Sequence, residues 1–199
     1  MTHVLSPKIS NRQRNIIIGT ILGGSSVVKP SKGRNCYLSM RSKNIDWLRW
    51  KATELRALAT QDPITVEKTN RWHSICYPIF NELREAFYTD KKRHLEDDAL
   101  DLLQDSAMGV WFGDCGRYEN ERIVLNTHVW GEDGSKLVVE YFAKLDWKSE
   151  VFTERKNFRV RLDEKSSEDF LRITMPQMPH FFFNQATPFR IPNLDPPVE

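Results

Sequence analysis

The sequence predicts a mixed α+β chain built from two pseudo-symmetric αββαββα halves. Three observations predict it. Helices and strands are read in the same order twice, the first helix of each half carries two glycines four residues apart, and several strands alternate apolar with basic side chains. The chain has 199 residues, of which 40% are hydrophobic and 28% charged. That suffices for one sizeable core or two small fused ones. A formal net charge of +2 is compatible with a polyanionic partner and does not demand one. Cys36, Cys76 and Cys115 are odd in number and form no CxxC pair, so neither a disulfide framework nor a thiolate zinc site is indicated. The default is a reducing intracellular compartment, with a mitochondrion or plastid compatible. The polar start MTHVLSPKISNRQRN is no secretory signal, and no apolar run is long enough to span a bilayer, so no membrane partner is expected.

Residues 1–10 form an N-terminal extension. The first half, residues 11–88, opens with a mostly apolar helix at 12–24. A strand follows at 35–43, then an amphipathic helix at 45–59 with Ile45, Leu48, Ala52, Leu55 and Ala59 at helical spacing. Two strands are expected at 64–68 and 70–76. Ile79, Leu83 and Phe87 mark the face of the next helix, with Pro78 suited to its first turn. A charged linker occupies 89–99. The second half, residues 100–180, starts with a helix at 100–113, then a strand at 122–130 and a helix at 135–145. Strands at 150–155 and 158–162 lead to a closing helix at 166–174 that buries Phe170 and Ile173. Residues 181–199 are a Phe- and Pro-rich arm, and its tail TPFRIPNLDPPVE, with Pro188, Pro192, Pro196 and Pro197, cannot be a regular helix or central strand. Leu83 corresponds to Phe170 and Gly24 to Cys115. The halves match in element order rather than identity, and an ordinary α+β domain could repeat that order by chance.

The first helices sharpen the case. One reads IIIGTILGGSS, with Gly19 and Gly23 on one face; the other reads MGVWFGDCG, with Gly109 and Gly113 on one face. A glycine inside a helix costs about 0.5–1 kcal/mol relative to alanine. The simplest compensation is a very close approach of another backbone, and the simplest partner for each helix is the other. Gly24 and Gly116 serve as turn residues.

Together these segments resemble the two signature motifs of LAGLIDADG homing endonucleases. RIVLNTHVW is similar to that family's asparagine-threonine-glutamine strand, with His128 in the glutamine place, and ICYPIFNELREAFYTDKKR is similar to its helix ending in a Phe-Tyr pair and basic turn. The resemblance covers residues 11 to 180. It implies a fold in which the two motif helices pack at the centre of a pseudo-dimer and two antiparallel sheets form a saddle over nucleic acid. It also implies a carboxylate just before the last motif residue of each helix. The matching positions hold Gly24 and Cys115. Glycine offers no ligand, and a thiol is a soft, poor ligand for magnesium. Asp114 lies one residue upstream, and one residue on a helix is a rotation of about 100°. Asp114 is therefore expected to turn from the groove and accept a hydrogen bond near the helix end, unless a local irregularity brings it in. Asp105, Glu119 and Glu121 read as solvated charges. After the closing helix the family has a basic segment; here Phe181, Phe182 and Phe183 stand instead, as core or as a docking surface for protein or bases.

Strand alternation supplies a basic face. Phe158, Val160 and Leu162 oppose Arg159 and Arg161; Leu38 and Met40 oppose Tyr37, Ser39, Arg41 and Lys43; Arg71 and His73 alternate with Trp72. The candidate nucleic-acid contacts are Arg41, Lys43, Arg71, His73, His128, Arg159 and Arg161, with Lys29, Lys32 and Arg34 in a flexible loop at the saddle edge. Lys91, Lys92, Arg93 and His94 either clamp a backbone or keep the linker wet. His73 and His128 have no converging ligands and read as polar sheet residues; Trp111 reads as core. The functional expectation is a DNA- or RNA-binding protein that kept the saddle and lost the nuclease, within a ribonucleoprotein in one version. It requires no cofactor. The alternatives are a magnesium-dependent endonuclease or nickase using Asp114, and a structural subunit of an organellar ribosome or other large assembly, docked through Phe181–Phe183 and the C-terminal arm.

Overall fold

The computed structural model describes residues 8–59, 61–179 and 181. The chain starts with α1 (Asn11–Leu22), capped by Ser10. The Ser10 hydroxyl accepts the Gln13 N–H at 3.2 Å while the Gln13 side chain accepts the Ser10 N–H at 3.0 Å, a reciprocal box that satisfies N–H groups a helix start leaves free. β1 (Ser26–Val28), β2 (Tyr37–Ser42), α2 (Ile45–Glu54), β3 (Ile64–Val66), β4 (Thr69–His73) and α3 (Ile79–Phe87) complete the first half. A small hairpin of β5 (Tyr88–Thr89) and β6 (Lys92–Arg93), then the single-turn α4 (Asp97–Leu100), lead across. The second half is α5 (Asp105–Cys115), β7 (Gly116–Glu119), β8 (Arg122–Asn126), α6 (Gly131–Lys144), β9 (Ser149–Glu154), β10 (Asn157–Leu162) and α7 (Glu164–Thr174).

Both halves thus read αββαββα, and both sheets are antiparallel with the same strand order, β1-β2-β4-β3 and β7-β8-β10-β9. Shared topology is a stronger sign of duplication than shared order along the chain. α1 and α5 pack against each other at the centre. They are apolar on nearly every side, with Ile16, Ile17, Ile18, Ile21 and Leu22 on one and Met108, Val110, Trp111 and Phe112 on the other all buried. That is the composition of helices enclosed by other elements. α2 lies on β2 and β4, α3 on β1, α6 on β9 and β10, and α7 on β8. The inward strand residues Leu38, Met40, Trp72, Val160 and Leu162 are fully buried beneath those helices. Phe158, expected beside them, is only half-buried. The opposite face of each sheet is left uncovered. Each sheet begins where a central helix ends, so the two uncovered faces adjoin over the C-terminal ends of α1 and α5.

Several elements depart from expectation. β1 and β7 were not anticipated. The strand expected at 122–130 stops at Asn126, because the Thr127 hydroxyl pairs with Ser135 Oγ at 2.7 Å and the chain turns into a 3₁₀ turn, His128–Trp130. His128 is therefore not a sheet residue; it is exposed, with Nδ1 2.9 Å from Asn126 Oδ1. β4 likewise ends at His73, three residues early, because Ser74 and Ile75 turn to the Leu38 and Leu58 carbonyls. The helix expected at 100–113 is two helices, α4 and α5, and that at 45–59 is α2 plus a 3₁₀ turn, Arg56–Leu58. Phe181 is half-buried against the core. Phe182, Phe183 and the C-terminal arm lie outside the described residues.

Candidate nucleic-acid interface

The central helices meet through small residues, though not in the symmetric way the glycine spacing suggested. A Cβ built on Gly19 would stand 2.2 Å from the Ala107 carbonyl oxygen and 2.9 Å from Val110 Cβ, both on α5. One on Gly23 would stand 2.4 Å from Asp114 Cβ. These two glycines do admit the partner helix. Gly109 and Gly113 do not face α1: a Cβ there would meet Met178 and Thr174, and Trp47 and Met178, respectively. The face of α5 turned to α1 is Ala107, Val110 and Asp114, at helical spacing. Gly23 and Asp114 thus meet across the helix pair, which is consistent with Gly24 corresponding to Cys115.

Asp114, expected to turn from the groove, lines the cavity above the ends of the central helices instead, because donors from α2 hold it there. Trp47 Nε1 donates to Asp114 Oδ1 at 2.6 Å, and the Lys51 ammonium donates to Oδ1 at 2.6 Å and Oδ2 at 2.8 Å. Lys51 is completely buried, the Asp114 side chain is 8% exposed, and the ammonium also lies 5.4 Å from the Trp47 ring centroid. Burial pushes the Asp114 carboxyl above the usual carboxylate range, against the pull of Lys51 and Trp47. The group is an acceptor, as expected, but for two donors from α2 rather than for a helix terminus. The neighbouring Cys115 thiol donates to the Asn126 carbonyl at 3.5 Å, and burial together with Asp114 pushes its pKa up to about 12. It is a protonated thiol at any physiological pH.

Above this floor lies a cavity of about 710 Å³. It is lined by Gly23, Gly24 and Ser25 after α1, by Ser26 and Val28 of β1, and by Ser39, Arg41, Ser42, Lys43 and Asn44 in and after β2, with Asp114 the one carboxylate in its lining. Arg41 and Lys43 are exposed. Arg71 stands directly across from Arg41, and His73 across from Ser39. Arg71 Nε and His73 Nδ1 are buried atoms with no hydrogen-bond partner among the described residues. Burial, and then Arg41 and Arg71, hold the His73 imidazole below its ordinary value of 6.5. Lys29 and Arg34 gather elsewhere, around a separate cavity of about 320 Å³ with Arg84 and Tyr88, and Lys32 is exposed in the same loop.

Arg159 and Arg161 do share one face of β10, but in company. Arg159 pairs with Glu154, Arg161 with Glu150, Arg117 with Glu119 at 2.8 Å and Glu154 at 3.2 Å, and Arg122 with Glu164 at 3.4 Å.

Sequence reasoning missed two residues that shape the site. Lys51 sits three residues after Leu48 and four before Leu55, on the apolar stripe of α2, and a charge there is a legible signal of a buried partner. Arg93, read only as part of a basic run, is largely buried. Its guanidinium donates to the carbonyls of Gly24 at 2.7 Å, Ser25 at 2.8 Å and Ile21 at 3.3 Å, and lies over the rings of Tyr88 and Trp130. It satisfies the open end of α1. Desolvation lowers its pKa from the usual guanidinium value.

Two central helices, each feeding an antiparallel sheet whose outer face is bare, define a pseudo-dimeric saddle protein. The chain belongs to the LAGLIDADG DNA endonuclease family, whose model matches residues 14–170. Among solved structures, the homing endonuclease I-WcaI bound to its DNA recognition sequence is similar with a TM-score of 0.83 at 17% identity, over 89% of this chain and 87% of that one. I-DmoI in complex with DNA and manganese is similar at 0.55 and 9% identity, over 83% of this chain and 97% of that one. Full-length WhiA from Thermatoga maritima is similar at 0.58 and 13% identity, over 86% of this chain and 58% of that one. Among curated proteins, RecA of Mycolicibacterium flavescens is 24% identical over 56% of this chain. The chain spans about a quarter (27%) of the length of that relative and of RecA from Mycolicibacterium fallax, which is 26% identical over 55% of this chain.

Proposed function

We propose that this chain binds duplex DNA across the bare faces of its two sheets and does not cleave it. The observation that carries the reading is the state of the two helix ends, of which Gly24 and Asp114 line the cavity while the Cys115 thiol is bonded to the Asn126 carbonyl. Metal-dependent hydrolysis of a phosphodiester needs hard oxygen ligands that are free to face the ion. Gly24 has no side chain, Cys115 is a soft and protonated donor, and both Asp114 oxygens are engaged by Lys51, with Trp47 as well on one. These residues do not fit a magnesium ion. Binding is supported by Arg41, Lys43 and Arg71 at one open cavity, and by the likeness of the whole chain to an endonuclease bound to DNA. Phosphate contacts from such groups give affinity, and polar side chains reaching base edges give preference.

Cleavage or nicking through Asp114 is the competing reading, and its position on the cavity floor is what favours it. The test is a mobility-shift assay on mixed-sequence duplex DNA and on structured RNA, with magnesium or manganese present and the strands then resolved on denaturing gels. The expected result is retained duplex with both strands intact. Strand scission that disappears in Asp114→Asn would overturn the reading, as would retention of RNA with no retention of DNA.

A further inference from the structure

The two sheets are not electrostatically equivalent, and the difference is built into their registers. In the first sheet Arg41 lies directly opposite Arg71, and Ile64 lies opposite Arg71 on the other side. No strand of that sheet carries a carboxylate. Like charges placed directly across an antiparallel pair repel, and among the described residues neither arginine has a salt bridge to relieve it. Ile64 is one of the few large apolar side chains left exposed, at 48%. In the second sheet Phe152 lies opposite Arg159 where the first has Ile64 opposite Arg71, and two pairs further from the hairpin turn Arg161 lies directly opposite Glu150. Glu119, Glu150, Glu154 and Glu164 pair with all four arginines of β7, β8 and β10, and Arg159 is only 13% exposed among them. Val124 is fully buried on the same face, opposite Arg117 and Arg161.

We infer that the N-terminal sheet alone supplies the phosphate anchorage of the bound duplex, while the arginines of the C-terminal sheet are reserved by intramolecular carboxylates. The inference rests on the DNA-binding reading above and adds to it which half holds the backbone. The physical argument is one of exchange. A phosphate arriving at Arg41 and Arg71 removes a repulsion and displaces only counterions. A phosphate arriving at Arg159 or Arg161 must first displace a carboxylate already in contact, and the released carboxylate then faces the incoming anion. The carboxylates of the second sheet remain able to meet a base edge, because a glutamate accepts from the cytosine amino group.

The test exchanges the residue opposite one arginine in each sheet, adding a carboxylate across from Arg71 and removing the one across from Arg161. Ile64→Glu and Glu150→Ile are compared with wild type on one mixed-sequence DNA duplex, following the binding constant against salt concentration, with circular dichroism as a check of folding. Each phosphate contact contributes about 0.9 to the slope of log K against log salt, or about eightfold in affinity near 0.1 M salt. Ile64→Glu is expected to lose about that much, and Glu150→Ile to gain about that much as Arg161 is freed. Arg71→Gln should lower the slope and Arg161→Gln should leave it unchanged. Equal loss from Arg71→Gln and Arg161→Gln, or an unchanged slope in both exchange variants, would overturn the inference and leave DNA binding standing. A wild-type chain that retains no duplex would sink both.

Discussion

Replacing Gly19 by alanine tests the closeness of the central helices on which the saddle rests. The added Cβ would lie 2.2 Å from the Ala107 carbonyl oxygen, where an ordinary carbon–oxygen contact is about 3.3 Å. Relief requires the helices to part by about 1 Å, since the obstacle is backbone and both helices are enclosed. Overpacking at such a site costs about 3 kcal/mol. Alanine recovers about 1 kcal/mol of helix propensity, so the net loss is about 2 kcal/mol. For a chain of this size that lowers the melting temperature by about 4–8 °C. Gly109→Ala is the internal contrast. Its new Cβ meets Met178 Sδ at 2.8 Å and the Thr174 carbonyl at 3.2 Å. A thioether at the end of a flexible side chain can swing aside, so the propensity gain offsets most of the crowding and the melting temperature should stay within about 2 °C of wild type. Calorimetry on the three proteins decides it. A Gly19→Ala protein as stable as wild type, or less affected than Gly109→Ala, would refute the close approach.

Lys51→Met leaves the Asp114 carboxylate buried without its cation and should cost about 3–5 kcal/mol in urea denaturation. Lys51→Met combined with Asp114→Leu should recover most of that, and simple additivity of the single losses would contradict a buried pair. The Asp163 side chain caps α7 by accepting the Ser166 N–H at 2.8 Å, and its hydrogen bonds with Ser166 hold the carboxyl below its ordinary value of 3.8. Its contribution is therefore complete above that value and lost as pH falls through the lower, folded one. Asp163→Ala should cost about 1 kcal/mol at neutral pH, with the gap to wild type closing in acid. A phosphate beside His73 would raise the imidazole pKa, which burial and two arginines now hold down, so DNA binding should take up a proton and tighten as pH falls toward 6.5 and below. His73→Gln should flatten that dependence; an unchanged pH profile would remove His73 from the interface.

Much of the fold was legible because its elements are long or cleanly periodic. Leu38, Met40, Val160 and Leu162 alternate with polar neighbours and are buried as alternation requires. β1 escaped because three residues cannot display a period, and β7, reading Gly-Arg-Tyr-Glu, has no apolar alternation at all. The site was less legible, since its decisive features are pairings. Helical spacing correctly puts Gly109 and Gly113 on one face, but nothing in spacing tells which neighbour that face meets. The basic residues at Arg41, Arg71, Arg159 and Arg161 look alike in sequence. Only strand register and the side-chain ion pairs reveal that Arg41 and Arg71 face each other while Arg161 is answered by Glu150 and Arg159 by Glu154. His128 misled because the strand run continues in composition past the point where Thr127 ends it.

Arg93 lends the molecule a further property. Its guanidinium comes from the connecting segment, donates to the Ile21 carbonyl in the last turn of the first helix and to the Gly24 and Ser25 carbonyls just past it, and is roofed by Trp130 from the second half, whose indole Nε1 itself donates to the Leu22 carbonyl at 3.3 Å. The connecting segment is thus more than a tether: it is bonded to the first half and stacked against the second. Neither half can be excised with its own contacts whole, because the end of α1 is bonded to the connecting segment and to Trp130 of the second half.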